Sequence, residues 1–280
     1  MNDMPHLTRR SFNAALLTAS AISAAKLTKR NLGVQIYTVR DILAPDAAKV
    51  LNEIHSIGYA ELEATAYTVA KAWPAIQGSG LKLTSLHLNP KPTDQEFADA
   101  KAKGFTYAVV PYIPPAMRGG VDVMKKLAAS LQDSGKRAQG HGLQLCYHTH
   151  AFEYEPMGGT TPLQILMGET DSKLVKLELD VFWAAVAGHD PVAVLKQYSG
   201  RVPLLHLKDK AKGMLPEAQF NEKVPNELFK EVGSGSLDIP SVLKAADSAG
   251  VQHYFVEQDQ SPDALASLRQ SYKFLQAHTA

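Results

Sequence analysis

Apolar runs and amphipathic segments alternate along the chain from residue 32 onward. Eight short runs rich in aliphatic and aromatic residues predict strands at residues 32–37, 59–65, 81–88, 105–111, 143–150, 173–181, 202–208 and 251–257. Between them, apolar positions recur every three or four residues and predict helices at residues 45–57, 69–76, 94–103, 121–139, 161–167, 191–198, 239–249 and 264–277. Residues 209–235, rich in Lys, Pro and Gly, are expected to form an extended connection.

Eight strand–helix units in about 250 residues fit a closed (β/α)8 barrel. Strands that are covered by helices outside and packed inside should be almost continuously apolar, as these runs are. The alternative is an open, doubly wound sheet, but no Gly-x-Gly-x-x-Gly turn follows the first strand. The pattern therefore predicts an α/β protein with one folded domain, a (β/α)8 TIM barrel over residues 32–280.

The first 31 residues differ from the rest of the chain. Arg9 and Arg10 precede an Ala-rich apolar segment at residues 14–25, a pattern typical of twin-arginine export signals. The segment is too short to span a membrane stably, and an ordinary amphipathic helix is the alternative interpretation. The export interpretation predicts a periplasmic or secreted protein that has no membrane contact once the signal is cleaved.

The net charge and the cysteine count limit which binding partners and bound groups are expected. The 280 residues carry a formal net charge of +1, with 29 basic and 28 acidic residues. A protein built mainly to bind nucleic acid usually has a basic excess, so no nucleic-acid partner is expected. Cys146 is the one cysteine, which excludes an internal disulfide and a cysteine-based zinc cluster. Assembly into an oligomer is left open.

Ionisable residues cluster at the predicted ends of the last four strands. They are His148, His150 and Glu153 at strand five, Asp180 at strand six, His206, Lys208 and Asp209 at strand seven, and Glu257 and Asp259 at strand eight. In a TIM barrel these ends meet at the rim where active sites lie. Each residue alone could be a helix cap or a satisfied core residue, but burying all of them is costly without a cation. Mixed imidazole and carboxylate ligands predict a divalent metal ion, with Mn2+ as the first choice and Zn2+, Co2+ or Mg2+ as alternatives.

Residues near the ends of earlier strands are expected to face a substrate at the same rim. Tyr37, Glu63 and His87 come from strands one to three, and Trp183 follows Asp180 by three residues. Trp183 would form an apolar wall against a sugar ring. Packing of the rim or core is the alternative for Tyr37 and Trp183.

With these residues in place, residues 31–280 resemble the xylose-isomerase-like TIM-barrel superfamily, in particular its sugar phosphate isomerase/epimerase branch. The segments that carry the resemblance are LGVQIYTVRD (32–41), YHTHAFEY (147–154), LELDVFWAAVAGHDP (177–191), LLHLKD (204–209), EVGSG (231–235) and VEQD (256–259). The resemblance implies metal ligands at the ends of strands five to eight, in the order Glu, Asp, His, Glu. Asp180, His206 and Glu257 match the last three.

The strand-five ligand departs from that pattern, because His148 stands where the resemblance implies a glutamate. Glu153 could turn back and supply the carboxylate, with His148 and His150 facing the substrate; the reverse assignment is also open. Since the metal-bound glutamates of related epimerases also move protons, this departure bears directly on the mechanism.

The resemblance implies a metal-dependent isomerase or epimerase that acts on a carbohydrate through an enediolate. His148, His150 or Glu257 would remove a proton next to the carbonyl, and Lys208 would stabilise the oxyanion or pair with Glu178. Elimination of a β-oxygen, as in the related inosose dehydratases and keto-glycoside lyases, is the alternative. Export favours a free or glycosidic keto-sugar over a sugar phosphate. An endonuclease IV-like phosphodiesterase and a non-catalytic periplasmic sugar-binding barrel are two further hypotheses.

Overall fold

The computed structural model describes residues 32–215 and 217–278, which contain a closed barrel of eight parallel strands. The strands, labelled in chain order, are β1 (Leu32–Gln35), β2 (Glu61–Thr65), β3 (Lys82–His87), β4 (Tyr107–Val110), β5 (Gln144–His148), β6 (Val175–Asp180), β7 (Leu204–Leu207) and β8 (His253–Val256). Each strand pairs with its neighbour in sequence, and β8 pairs with β1 to close the barrel. The predicted (β/α)8 barrel is confirmed, whereas the proposed export signal lies outside the described residues.

Helices surround the strands. The α-helices are Arg40–Leu43, Ala47–Ile57, Ala66–Gly78, Asp94–Ala102, Val121–Gly140, Pro162–Gly168, Val181–Val186, Pro191–Gln197, Ile239–Ala249 and Ala264–Gln276, and 3-10 turns are Ile36–Val39, Pro115–Met117, Phe152–Tyr154 and Asn226–Leu228. None of the helices in the described ranges is both long and apolar enough to cross a bilayer.

Among the short elements that the sequence did not predict, two lie next to the carboxyl ends of β6 and β7. The helix Val181–Val186 is almost entirely buried, so its uniformly apolar sequence lacks the periodicity that marks a surface helix. The connection after β7 contains an antiparallel pair, Asp209–Lys210 with Phe229–Lys230. Asp209 fixes the end of this connection, because its carboxylate accepts hydrogen bonds from the amides of Gly233 and Gly235 at 3.0 Å each.

An apolar layer fills the middle of the barrel and separates two polar layers. Its members are Tyr107, Val109, Cys146, Leu204 and Phe255. On one side the ring of Phe255 contacts His206, and on the other the ring of Tyr107 contacts His253. Gly33 provides room for this layer, since a Cβ there would lie 2.7 Å from the Phe255 ring. The polar layer around His206 therefore lies toward the carboxyl ends of the strands.

Candidate metal centre and active site

A cavity of about 670 Å3 opens at the carboxyl ends of the strands, a size typical of small-molecule sites. Its lining includes seven of the predicted site residues: Tyr37, His87, His148, His150, Trp183, Lys208 and Glu257. The side chains of Asp180 and His206 are completely buried next to it. The structure thus brings most of the predicted residues to one place.

Four of these side chains, one from the end of each of the last four strands, converge: His148, Asp180, His206 and Glu257. Their ligand atoms lie within 4.8 Å of one another, and all four side chains are buried. Asp180 Oδ2 lies 4.0 Å from His148 Nε2 and 3.9 Å from His206 Nδ1. We refer to these four residues as the metal group.

The local structure explains why one oxygen of Asp180 is available. Asp180 caps the helix Val181–Val186, with Oδ1 accepting hydrogen bonds from the amides of Phe182 at 2.8 Å and Trp183 at 3.0 Å. Asp180 Oδ2 makes no hydrogen bond. Its nearest charged neighbour is the Lys208 ammonium at 3.2 Å, and a carboxylate oxygen that makes no hydrogen bond keeps a lone pair for a cation. The donor set of two imidazoles and two carboxylates fits a divalent ion.

Glu153 is not part of the metal group, which corrects the preferred sequence-based assignment. The strand ends at His148, and the chain then turns through Phe152–Tyr154. The turn directs Glu153 toward Tyr147, whose hydroxyl donates to Oε1 at 2.7 Å, and the His150 amide donates to Oε2 at 2.9 Å. Burial raises the pKa of Glu153 to about 8. The strand-five position in the metal group belongs to His148.

Lys208 is fully buried next to the metal group. Its ammonium lies 2.8 Å from Glu257 Oε2, 3.2 Å from Asp180 Oδ2 and 2.9 Å from Asp259 Oδ2. Burial alone would lower the pKa of Lys208, but these three carboxylates raise it well above its usual range. The sequence-based alternative that paired Lys208 with Glu178 is therefore wrong.

A second set of buried polar residues lies behind the metal group. His87 Nε2 is 3.0 Å from both Glu63 Oε1 and Glu178 Oε2, and His206 Nε2 is 2.6 Å from Glu63 Oε1. Burial would lower the pKa of His87, but Glu63 and Glu178 raise it to about 10. Glu63 is fully buried and does not line the cavity, so its predicted role in binding substrate is wrong.

Glu178 was missed as a site residue, although a signal for it was present. Side chains two positions apart on a strand point to the same side, so Glu178 had to accompany Asp180 into the barrel. Burial and the nearby Glu63 carboxylate raise the pKa of Glu178. Glu178 Oε1 is among the buried oxygens without a hydrogen bond.

His150 lines the cavity but does not belong to the metal group. Its ring lies 5.2 Å from that of Tyr112 and 5.6 Å from that of Trp183, measured between centroids. Burial and the charge of Lys208 lower the pKa of His150 to about 3. The imidazole is therefore neutral near pH 7, and its Nδ1 makes no hydrogen bond.

These features define a TIM-barrel protein with a candidate metal centre at the carboxyl ends of its strands. Residues 94–278 match a family model described as the xylose isomerase-like TIM barrel, and this match covers more than half of the chain. The protein therefore belongs to the xylose isomerase-like TIM-barrel family, as the resemblance in its sequence implied.

Known relatives include sugar-processing enzymes. An inosose dehydratase of Bacillus thuringiensis (strain Al Hakam) is 32% identical over 151 residues, which are 51% of this chain and 49% of the relative. The chain thus matches about half the length of such curated relatives. A sugar phosphate isomerase/epimerase from Parabacteroides distasonis ATCC 8503 has a TM-score of 0.75 at 23% identity, covering 90% of this chain and 95% of that one. The IOLI protein, solved with a zinc atom, has a TM-score of 0.67 at 17% identity, with 89% and 97% covered. The two structural similarities establish the shared fold.

Proposed function

We propose that this protein is a metal-dependent enzyme that eliminates a β-oxygen from a keto-sugar or keto-inositol. The observation that carries the proposal is His148 at the strand-five position of the metal group. A glutamate there could bind a metal through one oxygen and move a proton with the other. His148 has only Nδ1 left for that purpose, and Nδ1 is buried 3.3 Å from Glu178 Oε2, behind the metal group.

Elimination needs only one group that transfers a proton, and His150 can fill that role. The neutral imidazole of His150 takes the proton from the carbon next to the carbonyl, and the resulting imidazolium returns it to the departing β-oxygen. Water leaves from a keto-inositol, or an alcohol leaves from a keto-glycoside. A divalent ion held by the metal group would stabilise negative charge on the substrate's adjacent oxygens. Trp183 and Tyr37 line the cavity and would orient the ring.

The charges around the cavity favour an uncharged substrate. Among the described residues that line it, the cationic groups are Lys208 and the protonated His87, and both are already paired: three carboxylates surround the Lys208 ammonium, and Glu63 and Glu178 flank the His87 ring. Glu222 and Asp259 add acidic groups to the lining. A phosphate group would meet negative charge here without a free cationic partner, so we propose a non-phosphorylated substrate.

Isomerisation or epimerisation, the leading hypothesis from the sequence, is the second candidate. This reaction also begins with removal of the proton next to the carbonyl. His150 and Glu257 both line the cavity, so they could serve as its two proton-transfer groups. The two candidates differ in the step after proton removal, because an epimerase returns the proton to carbon and expels nothing.

The experiment uses the purified full chain loaded with Mn2+ or Zn2+ in D2O, with a keto-inositol, a 3-keto-glucoside and a simple ketose as substrates. We expect loss of water or alcohol together with loss of the hydrogen from the carbon next to the carbonyl, detected by NMR and mass spectrometry; deuterium enters that position only in substrate that is re-protonated before elimination. Formation of an epimer or isomer without loss of water or alcohol would establish the second candidate. Neither exchange nor elimination with any substrate would overturn both, and calorimetry would then test the sugar-binding hypothesis.

We also propose that the protein is exported by the twin-arginine route. The support is the sequence pattern of Arg9, Arg10 and the apolar segment that follows. Replacing both arginines by lysine (Arg9→Lys, Arg10→Lys) should retain the protein in the cytoplasm, measured by cell fractionation. Unchanged export of this variant would contradict the proposal.

A further inference from the structure

Both imidazoles of the metal group have their second ring nitrogen next to a buried carboxylate. His206 directs Nδ1 toward Asp180 and Glu257, while its Nε2 is 2.6 Å from Glu63 Oε1. His148 directs Nε2 toward Asp180, while its Nδ1 is 3.3 Å from Glu178 Oε2. Both histidines therefore lie between the metal group and an acidic residue behind it, with hydrogen-bond geometry present for His206 and Glu63 but not for His148 and Glu178.

This arrangement fixes where the ring protons must be when a metal ion is bound. A neutral imidazole has one N–H donor and one bare nitrogen, and only the bare nitrogen binds a metal. If His206 Nδ1 and His148 Nε2 are the ligand atoms, the protons lie on His206 Nε2 and His148 Nδ1. These N–H groups then donate to Glu63 and Glu178.

The same reasoning bears on a second ion. His87, His148, Glu178 and His206 also have ligand atoms within 4.8 Å of one another. The nitrogens of His148 and His206 nearest to Glu178 are those opposite the metal group. Filling both sets would require each imidazole to lose its remaining N–H proton and bridge two ions as an imidazolate, whereas a neutral imidazole has one bare nitrogen to offer. With neutral imidazoles, one ion therefore excludes the other.

We propose that Glu63 and Glu178 are positioning residues that hold the Nε2–H of His206 and the Nδ1–H of His148, and thereby direct the bare nitrogens to a single divalent ion. Carboxylates behind histidine ligands fix the tautomer and ring orientation and make the ligand more basic. The proposal rests on the metal group of the proposed function, but not on which reaction follows.

The surroundings of the two carboxylates fit this role. His87 joins them, since its Nε2 lies 3.0 Å from an oxygen of each. Glu63 also accepts hydrogen bonds from the Gln35 side chain at 2.8 Å and from the Ser85 hydroxyl. A carboxylate held by this many partners has little freedom to rotate, so it can hold a ligand ring in one orientation.

The test measures metal binding, not turnover. Calorimetry on the full chain should give one Mn2+ or Zn2+ per chain, with the ion supplied as a simple salt. Glu63→Leu and Glu178→Leu should each weaken affinity about 10–100-fold, the usual effect of losing such a partner. Glu63→Gln and Glu178→Gln, which keep an acceptor oxygen, should fall between these variants and the wild type. The visible spectrum of bound Co2+ should change in the Leu variants because the ligand rings are no longer fixed.

Glu61→Leu is the matched control, because Glu61 lies two residues from Glu63 on β2 and holds a histidine 2.6 Å away at the other end of the barrel. Its metal affinity and Co2+ spectrum should match those of the wild type. Two ions per wild-type chain, or wild-type affinity and spectrum in the Leu variants, would overturn the proposal. If the Leu variants do not fold, wild-type affinity in both Gln variants overturns it equally. Because substrate is absent throughout, failure of the proposed reaction would leave this result unaffected.

Discussion

Two carboxylates on one strand hold histidines at opposite ends of the barrel, and their surroundings differ. Glu61 lies 2.6 Å from His253 Nδ1 and 2.8 Å from Lys82 Nζ, and Glu63 lies 2.6 Å from His206 Nε2. In the described part of the chain, the buried side-chain atoms without a hydrogen bond belong to His148, His150, Tyr154, Glu178 and Asp180. Three of these residues lie in or directly behind the metal group, and none surrounds Glu61. Unused hydrogen-bonding capacity, rather than the presence of buried charge, therefore distinguishes the functional end.

The pKa values show the same difference. Burial alone would raise the pKa of Glu61, but His253 and Lys82 lower it below its usual value. At the other end, burial raises the pKa of Asp180 despite the nearby Lys208. The charges around Glu61 thus lower its pKa, whereas those around Asp180 in the metal group do not outweigh its burial. Four predictions test this comparison.

The largest effect is expected on turnover when the proposed proton-transfer group is removed. His150→Gln should lower kcat about 10²–10⁴-fold, because general acid–base catalysis usually contributes that much. Metal content should stay at the wild-type level, since His150 lies outside the metal group. Steady-state kinetics and metal analysis check both points. His189→Gln, at an exposed histidine away from the cavity, is the control; equal rates in all three proteins would contradict the role of His150.

The second effect is on metal-linked stability. An ion that binds only the folded state at 100 times its Kd should raise the free energy of unfolding by about 2.7 kcal/mol. Asp180→Asn should lose most of this gain, because the side chain that would face the ion no longer carries charge. Urea unfolding with metal and with chelator measures the difference. Glu61→Gln should keep the full metal-linked gain in the free energy of unfolding. Loss of that gain in this variant would contradict the distinction between the two ends of the barrel.

The third effect is on stability alone. Glu61→Gln should cost about 1–3 kcal/mol, because it weakens buried hydrogen bonds to His253 and Lys82. Metal affinity and kcat should be unchanged, since the apolar layer separates this pair from the metal group. Urea unfolding, calorimetry and kinetics provide the three readouts. A weaker metal affinity in this variant would show that the two polar layers are coupled.

The fourth effect concerns pH, and it is small for each pH unit. Burial raises the pKa of Glu153 to about 8 from its ordinary value of 4.5, so the folded protein keeps a proton that the unfolded chain releases. Between these two values, stability should fall as pH rises, by at most about 1.4 kcal/mol per pH unit. Glu153→Gln should flatten this slope in urea unfolding across that range. Glu155→Gln, at an exposed position two residues away, is the control and should leave the slope unchanged. An unchanged slope in Glu153→Gln would show that Glu153 is ionised in the folded state.

The barrel could be predicted because each strand–helix unit has its own apolar pattern in the sequence. Apolar runs identified all eight strands, and the predicted ends of β6 and β7 placed Asp180 and His206 at the rim. The helix Val181–Val186 gave no such signal, since a helix buried on all sides has the same apolar pattern as a continuing strand. Its start depends on Asp180, whose cap forms only once the strand ends there.

The metal group could be predicted in part. The resemblance supplied Asp180, His206 and Glu257, but it could not choose between His148 and Glu153. That choice depends on where the chain leaves β5, and a contact between Glu153 and the Tyr147 hydroxyl decides it. Such a contact depends on tertiary packing around the turn, which strand alternation does not describe. The roles of Glu63 and Glu178 likewise depend on which ring nitrogen faces which carboxylate.

The connection after β7 has one further consequence. Asp209 directly follows the strand that carries His206 and Lys208, and its carboxylate holds the backbone of Gly233 and Gly235. The chain between these points is thus a loop closed at a fixed base, and Glu222, Val224, Asn226 and Phe229 from it line the cavity. Changing the length of such a loop costs little, roughly 0.6 kcal/mol for each doubling. Evolution can therefore remodel the substrate-facing wall by insertion and deletion while the ion-binding strands stay as they are.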